Sequence, residues 1–414
     1  MSRVKRFFAS HRVCFGLFVF VMAYQILVGN NLAPWRLNEH FITFYTVDYG
    51  MGFCSRFLPG AVYRLFFDQV NVSVLSAFSS AFLVLFFLAL CFLLERVLLQ
   101  APRKEQTVCL FMILLFISGP ASFTLFVKWL GVIDVYWIYL CLLFVFALAN
   151  RRAWFLIPVI FIVSVLVHYG VMICYVPMMA IMLLYRLLTA EEKKDRAVLT
   201  GILLSSLCLA AGLTVYFILF ERRNLIYSMD EFNTILLERG AKYTYYYDYN
   251  LYRNFSSAGD QSFEGYIYGS GSPLVTFARS IWMQIRTTLA VRIRAGFTVE
   301  YVLSVLLICP AAVLMLSVFF SRFREEKGAP FFRRAVYLLA PLLFLGSFAA
   351  STLFSSDTYR WVAHTFLPLI AVFLYFGSRE GERFWNAARR KIAAFPVPVL
   401  AAYLIVYAAV VAVE

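Results

Sequence analysis

The sequence predicts an all-α polytopic membrane protein with about eleven transmembrane helices, from its composition, the length of its apolar runs and the placement of its basic residues. Hydrophobic residues make up 62% of the chain and aromatic residues 18%, and the mean hydropathy is +0.78. A water-soluble fold cannot hide that much apolar surface. The formal charge of +14 invites a nucleic-acid reading, yet the basic residues stand in short clusters between apolar runs. That pattern encodes membrane topology and implies no nucleic-acid partner.

A helix needs roughly 17–25 mostly apolar residues to cross a bilayer. Such runs fall near 13–29, 73–95, 107–124, 133–150, 153–167, 170–187, 198–220, 298–320, 336–354, 361–377 and 396–413. The fifth and sixth divide one long stretch, 153–187, with Arg151-Arg152 at one end and Arg186 at the other. Two basic ends require an even number of crossings, and a reversal at His168-Tyr169-Gly170 supplies it. The start, MSRVKRFFASHR before VCFGLFVFVMAYQILV, has the basic-then-apolar order of a secretory signal without a small-residue cleavage site. It reads as an uncleaved first span.

With the amino terminus in the cytoplasm, every connection on that side is basic. The clusters are Arg96/Arg103/Lys104, Arg151/Arg152, Arg186/Lys193/Lys194/Arg196, Arg322/Arg324/Lys327/Arg333/Arg334 and Arg379/Arg383/Arg389/Arg390/Lys391. With Arg3, Lys5, Arg6 and Arg12 they put 23 of the 37 basic residues inside, against nine of the 23 acids. The carboxyl terminus then lies outside, and residues 1–414 form a single multi-pass domain of a cell membrane. Of the eight cysteines only Cys54 falls outside an apolar run, which supports neither a disulfide framework nor a zinc site.

Two sizeable connections face outward, 30–72 and 221–297. The larger begins with Ser228-Met229-Asp230-Glu231, a capping-box spacing that predicts a helix running to about Arg239-Gly240. A tyrosine-rich run, 243–249, follows, then a Gly/Ser-rich stretch from Ser256 to Pro273. The segment 274–295 regains helical character and suits the interface plane.

Ionisable residues beside hydrocarbon are costly to keep, so those at the outer helix ends are the candidates for chemistry. In VDYGMGFCSRFLPG, residues 47–60, Asp48 is placed to accept a proton from a hydroxyl and Arg56 to hold a phosphate. The structural alternative is that Asp48 and Arg56 pair with each other in a re-entrant turn. Asp134, in LGVIDVYW, opens the fourth span, either as an N-cap or as a second functional acid. Lys128 before it is placed to meet an anion or to snorkel to the interface. In Asp357-Thr358-Tyr359-Arg360-Trp361-Val362-Ala363-His364, helical spacing puts Asp357, Trp361 and His364 on one face with Arg360 beside them. An Asp357 and Arg360 helix pair is the alternative. His168, at the reversal, reads as a structural hydrogen-bonding residue or as a substrate contact.

Taken together, these segments, with HYGVMICYVP and SSDTYRW, resemble a bacterial branch of the GT-C superfamily of multispanning glycosyltransferases. The resemblance covers most of the chain in topology and about four short motifs in sequence. It implies a GT-C-like fold with extracytoplasmic loop helices in a bacterial plasma membrane. It also implies a polyprenyl-phosphate-linked sugar donor and an extracytoplasmic glycan, lipid or protein acceptor. The family's first-loop acid falls on Asp48 and its second-loop acid on Asp134. Neither loop carries a paired acidic motif, so a divalent metal is not supported and a lone Asp48 fits general-base chemistry better. Arg56, Lys128, His168, Asp357, Arg360 and His364 are the expected substrate contacts. Competing readings are a transporter or lipid-linked saccharide flippase, and a membrane acyltransferase using His168 or His364 as base.

Overall fold

The computed structural model describes residues 10–24, 37, 39–118, 131–242, 272–295, 299–354 and 358–413. Among them the chain is helical throughout, and each expected apolar run carries a helix. These are α1 (Arg12–Tyr24), α3 (Val72–Gln100), α4 (Gln106–Ser118), α5 (Val135–Ala149), α6 (Leu156–Val167), α8 (Val176–Leu188), α9 (Lys193–Phe220), α12 (Val299–Glu325), α13 (Phe331–Phe354), α14 (Thr358–Glu380) and α16 (Val397–Val413). Shorter helices are α2 (Leu58–Arg64), α7 (Val171–Cys174), α10 (Met229–Glu238), α11 (Pro273–Ala295) and α15 (Glu382–Ile392). Four of the described helices, α3, α9, α13 and α14, are long and apolar enough to cross a membrane by length and composition. Several others are apolar but shorter.

The packing places α14 at the centre, against α3, α4, α7, α8, α12, α13 and α15. Of its most apolar eighteen residues 89% are buried inside the chain, against 22% for α9. The outer helices are apolar on both faces. Leu85, Val159 and Leu204 are more than half exposed although their helices also carry core residues. A helix that is hydrophobic all round needs an apolar surround, which is how a bilayer stabilises such surfaces.

Charged contacts separate the two ends of the bundle. At one end the Glu95 carboxylate, 3% exposed, lies 2.7 Å from Nδ1 of His11 and accepts the Cys14 backbone N–H. There too Arg389 pairs with buried Glu105, and Arg322 holds Glu325, Glu326 and Glu380 at 2.7–2.9 Å. These groups come from the segments assigned to the cytoplasm by charge. The amphipathic helix α15 lies among them, seated on α14 where the indole of Trp385 passes over Gly377. Charge counting treats residues 382–392 as a basic connection and does not foresee that helix.

At the other end α10 begins with the expected capping box, Ser228 and Glu231 bonding reciprocally, and stops at Arg239 and Gly240, whose φ is +99°. The reversal between the fifth and sixth apolar runs also stands: His168 ends α6 with extended backbone. A Cβ on Gly170 would lie 2.4 Å from the Trp361 ring. The tightest backbone approach is at Gly60 in α2, where a Cβ would fall 2.1 Å from the Val47 carbonyl oxygen and 2.7 Å from that of Phe44. Backbone cannot yield as a flexible side chain does. Gly60→Ala is therefore expected to destabilise the chain by about 1–3 kcal/mol or more, seen as a lower melting temperature in detergent. An unchanged melting temperature would show that this packing is looser than the contact distances state.

Candidate polar site at the bundle end

Two groups of polar side chains occupy the end of the bundle that carries α10. The first surrounds Asp48, which precedes a short helical turn, Tyr49–Met51. Its Oδ1 accepts the Gly50 backbone N–H at 2.8 Å. Its Oδ2 takes Nε of Arg64 at 2.6 Å and Nη1 of Arg239 at 3.0 Å. The Asp48 side chain remains 20% exposed, so this is a carboxylate at a surface between two guanidiniums. The α2 helix aims Arg64, and the C-cap of α10 delivers Arg239, which also donates to the Thr46 carbonyl at 2.9 Å.

The second group is buried. Asp134 stands at the head of α5, but its side chain makes no capping hydrogen bond. It turns instead to Nε of Arg360 at 3.1 Å and faces Nε2 of His364 at 3.6 Å. Both partners are shielded, the Asp134 side chain 3% and the Arg360 side chain 12% exposed. Nδ1 of His364 lies 3.1 Å from the Tyr175 hydroxyl. Trp137 meets both His364 and His168 edge to face, with centroids 5.1 and 5.4 Å apart.

Arg56 belongs with the second group. Its guanidinium lies 2.5 Å from Nε2 of His168, whose Nδ1 accepts the Gly170 N–H at 2.8 Å. Burial, then the Arg56 charge, pushes the His168 pKa well below its ordinary value and keeps the ring neutral. Arg56 has φ of 68°, the one non-glycine residue with positive φ among the described residues. Its backbone N–H donates to the Leu166 carbonyl, fixing the loop to the end of α6. Such a conformation costs of order 1–3 kcal/mol and persists only where its surroundings impose it.

Next to Arg56, Glu221 at the end of α9 accepts the Ser55 N–H at 2.8 Å and its hydroxyl at 2.6 Å. Burial raises the Glu221 pKa above its ordinary 4.5, against the opposing effects of Ser55 and Arg56. A raised carboxyl pKa favours the protonated form in the fold. Its stabilising contribution is complete below about pH 4.5 and is lost as pH rises through the folded value. Glu221→Gln, which keeps an acceptor for Ser55, is expected to flatten the fall in melting temperature over that window. Parallel melting curves for variant and parent across pH 4–8 would sink this expectation.

The sequence-predicted residues therefore sort clearly. Asp134, Arg360 and His364 come together, with His168 beside them and Arg56 against His168. Asp48 does not pair with Arg56; Arg64 and Arg239 are closer, and Arg56 is turned inward to His168. Asp134 occupies an N-cap position without acting as a cap, because a buried carboxylate gains more from a guanidinium than from exposed amides. Lys128, Asp357 and the tyrosine run lie outside the described residues.

Arg64, Arg239, Glu221 and Ser55 were not singled out by sequence. For Arg239 the capping box was the available signal, since it predicts which residue ends α10. Among the described residues no group of three or more His, Cys, Asp and Glu side chains is placed to hold a metal ion. Asp48 and Asp134 each pair with arginine. Family models, curated proteins and solved structures provide no match to this chain.

Proposed function

We propose that this chain is a membrane glycosyltransferase, moving a sugar from a polyprenyl-phosphate donor to an extracytoplasmic acceptor with Asp48 as general base. The observation that carries the reading is the partly exposed Asp48 carboxylate between Arg64 and Arg239, at the end of an apolar helical bundle. Glycosyl transfer from a lipid phosphate needs a proton acceptor and a cationic site for the leaving phosphate close together. Here the phosphate competes with Asp48 for the two guanidiniums and leaves Oδ2 open to an acceptor hydroxyl.

The acceptor oxygen then gives its proton to Asp48 and bonds to the anomeric carbon. The bond from that carbon to the phosphate oxygen breaks, and the electron pair leaves on the lipid phosphate, held by Arg64 and Arg239. A single displacement of this kind inverts the anomeric centre. Asp134, 2% exposed, is a positioning residue that fixes Arg360 and His364 beneath the loop bearing Arg56. The polyprenyl tail stays in hydrocarbon, because each buried methylene is worth about 0.8 kcal/mol.

Incubating the purified chain with a panel of polyprenyl-phosphate sugars and simple glycan acceptors tests the reading. Consumption of one donor with release of the lipid phosphate and a new glycosidic bond is the expected result. Movement of such a lipid across proteoliposomes without bond formation would replace it with the flippase reading.

A further inference from the structure

At the opposite end of the bundle, the turn from α5 to α6 and the start of α9 enclose a groove of about 500 Å³. Arg151, Arg152, Lys194 and Asp195 form its charged wall, and Phe155 and Val198 lie on its apolar side. Nη2 of Arg151 reaches Glu192 at 3.3 Å and Asp195 at 2.5 Å, so those acids are already engaged. Arg152 and Lys194 are exposed and pair with no acid among the described residues. Behind them Trp154 is fixed, its indole N–H donating to the Leu148 carbonyl at 3.3 Å and Arg186 stacked 5.9 Å from its ring.

The apolar wall is open. Phe155 is 70% exposed and Val198 44%, where α6 and α9 pass from charged turn to apolar helix. Cations at such a level face lipid headgroups, and the apolar residues just beyond them face acyl chains. A soluble anion would use the first feature and leave the second without purpose.

We propose that this groove binds an anionic glycerophospholipid, its phosphate between Arg152 and Lys194 and its acyl chains along Phe155 and Val198. The inference rests on the membrane character of the bundle and is independent of the reaction at the other end.

Native mass spectrometry of the full chain in nonionic detergent provides the test. Phosphatidylglycerol is titrated against phosphatidylcholine of the same acyl chains, with sn-glycerol 3-phosphate as the headgroup lacking tails. Preferential retention of phosphatidylglycerol is expected, with no competition from equimolar glycerol phosphate. Each basic residue at a membrane surface contributes about fivefold, so R152Q/K194Q is expected to weaken phosphatidylglycerol binding roughly thirtyfold. The matched variant R103Q/K104Q, which neutralises exposed residues of another turn at the same end, is expected to stay within about twofold, since lipid attraction is local on the scale of a Debye length. If the double variant melts early, R152Q and K194Q singly are expected to show their fivefold losses. Equal retention of the two lipids, unchanged binding by the groove variants, an equal loss in R103Q/K104Q, or full competition by glycerol phosphate would each overturn the proposal.

Discussion

Asp48→Asn is expected to lower sugar transfer by roughly 10²–10⁴-fold, the usual contribution of a positioned general base. The substitution keeps an oxygen for the Gly50 N–H and nearly the same shape, so the turn over Tyr49–Met51 should survive. It removes the charge that Arg64 and Arg239 meet, where all three side chains are only about one-fifth exposed, so a modest stability cost accompanies it. The melting temperature should therefore fall by a few degrees, while the rate measured well below it falls by orders of magnitude. Activity within a factor of three of the parent would remove Asp48 from the reaction. Arg239→Gln separates the two roles, since losing a phosphate contact should raise the donor KM more than Asp48→Asn does. Equal effects of the two substitutions on KM would show that Asp48 only organises the arginines.

The largest structural effect is expected from Asp134→Ala. Removing that carboxylate breaks a buried pair, Asp134 with Arg360 at 3.1 Å and side chains 3% and 12% exposed, a change that typically costs about 3–5 kcal/mol. Buried Cys141 and Cys174 report the loss directly. Both lie in helices next to Asp134, and their reaction with a thiol reagent requires the bundle to open. The variant should label faster and melt several degrees lower. An apolar double substitution, Asp134→Leu with Arg360→Met, should recover much of that loss, because replacing both members of a buried pair by apolar groups avoids desolvating either charge. If the double variant is no more stable than Asp134→Ala, the cost lies in packing and not in the ion pair.

What sequence could and could not foresee follows the range of the interactions. The helices were legible because 3.6-residue packing and bilayer thickness are local rules acting on apolar runs. So was α10, whose boundaries rest on four consecutive residues at one end and Gly240 at the other. The pairing of charges was not. Asp48 lies eight residues from Arg56 and 191 from Arg239, yet the distant arginine pairs with it, beside Arg64, and Arg56 does not. Helical spacing expects Asp357, Trp361 and His364 on one face with Arg360 beside them; Asp357 lies outside the described residues, and Arg360 and His364 share an acid from the head of α5. Similarly, α15 escaped notice because its basic residues dominate a charge count, while Phe384 and Trp385, which seat it, are fully buried.

The two long connections are stitched together by main chain as well as side chain. The Ile226 N–H donates to the Met51 carbonyl, the Val70 N–H to that of Arg239, and the Asn224 side chain to that of Phe53. Order of synthesis follows from this. A ribosome makes the first connection long before the second, so the stretch around Asp48 waits through α3 to α9 before the chain that completes it emerges. A nascent polypeptide released ahead of Glu221 would lack the partners that hold the turn around Asp48 in place.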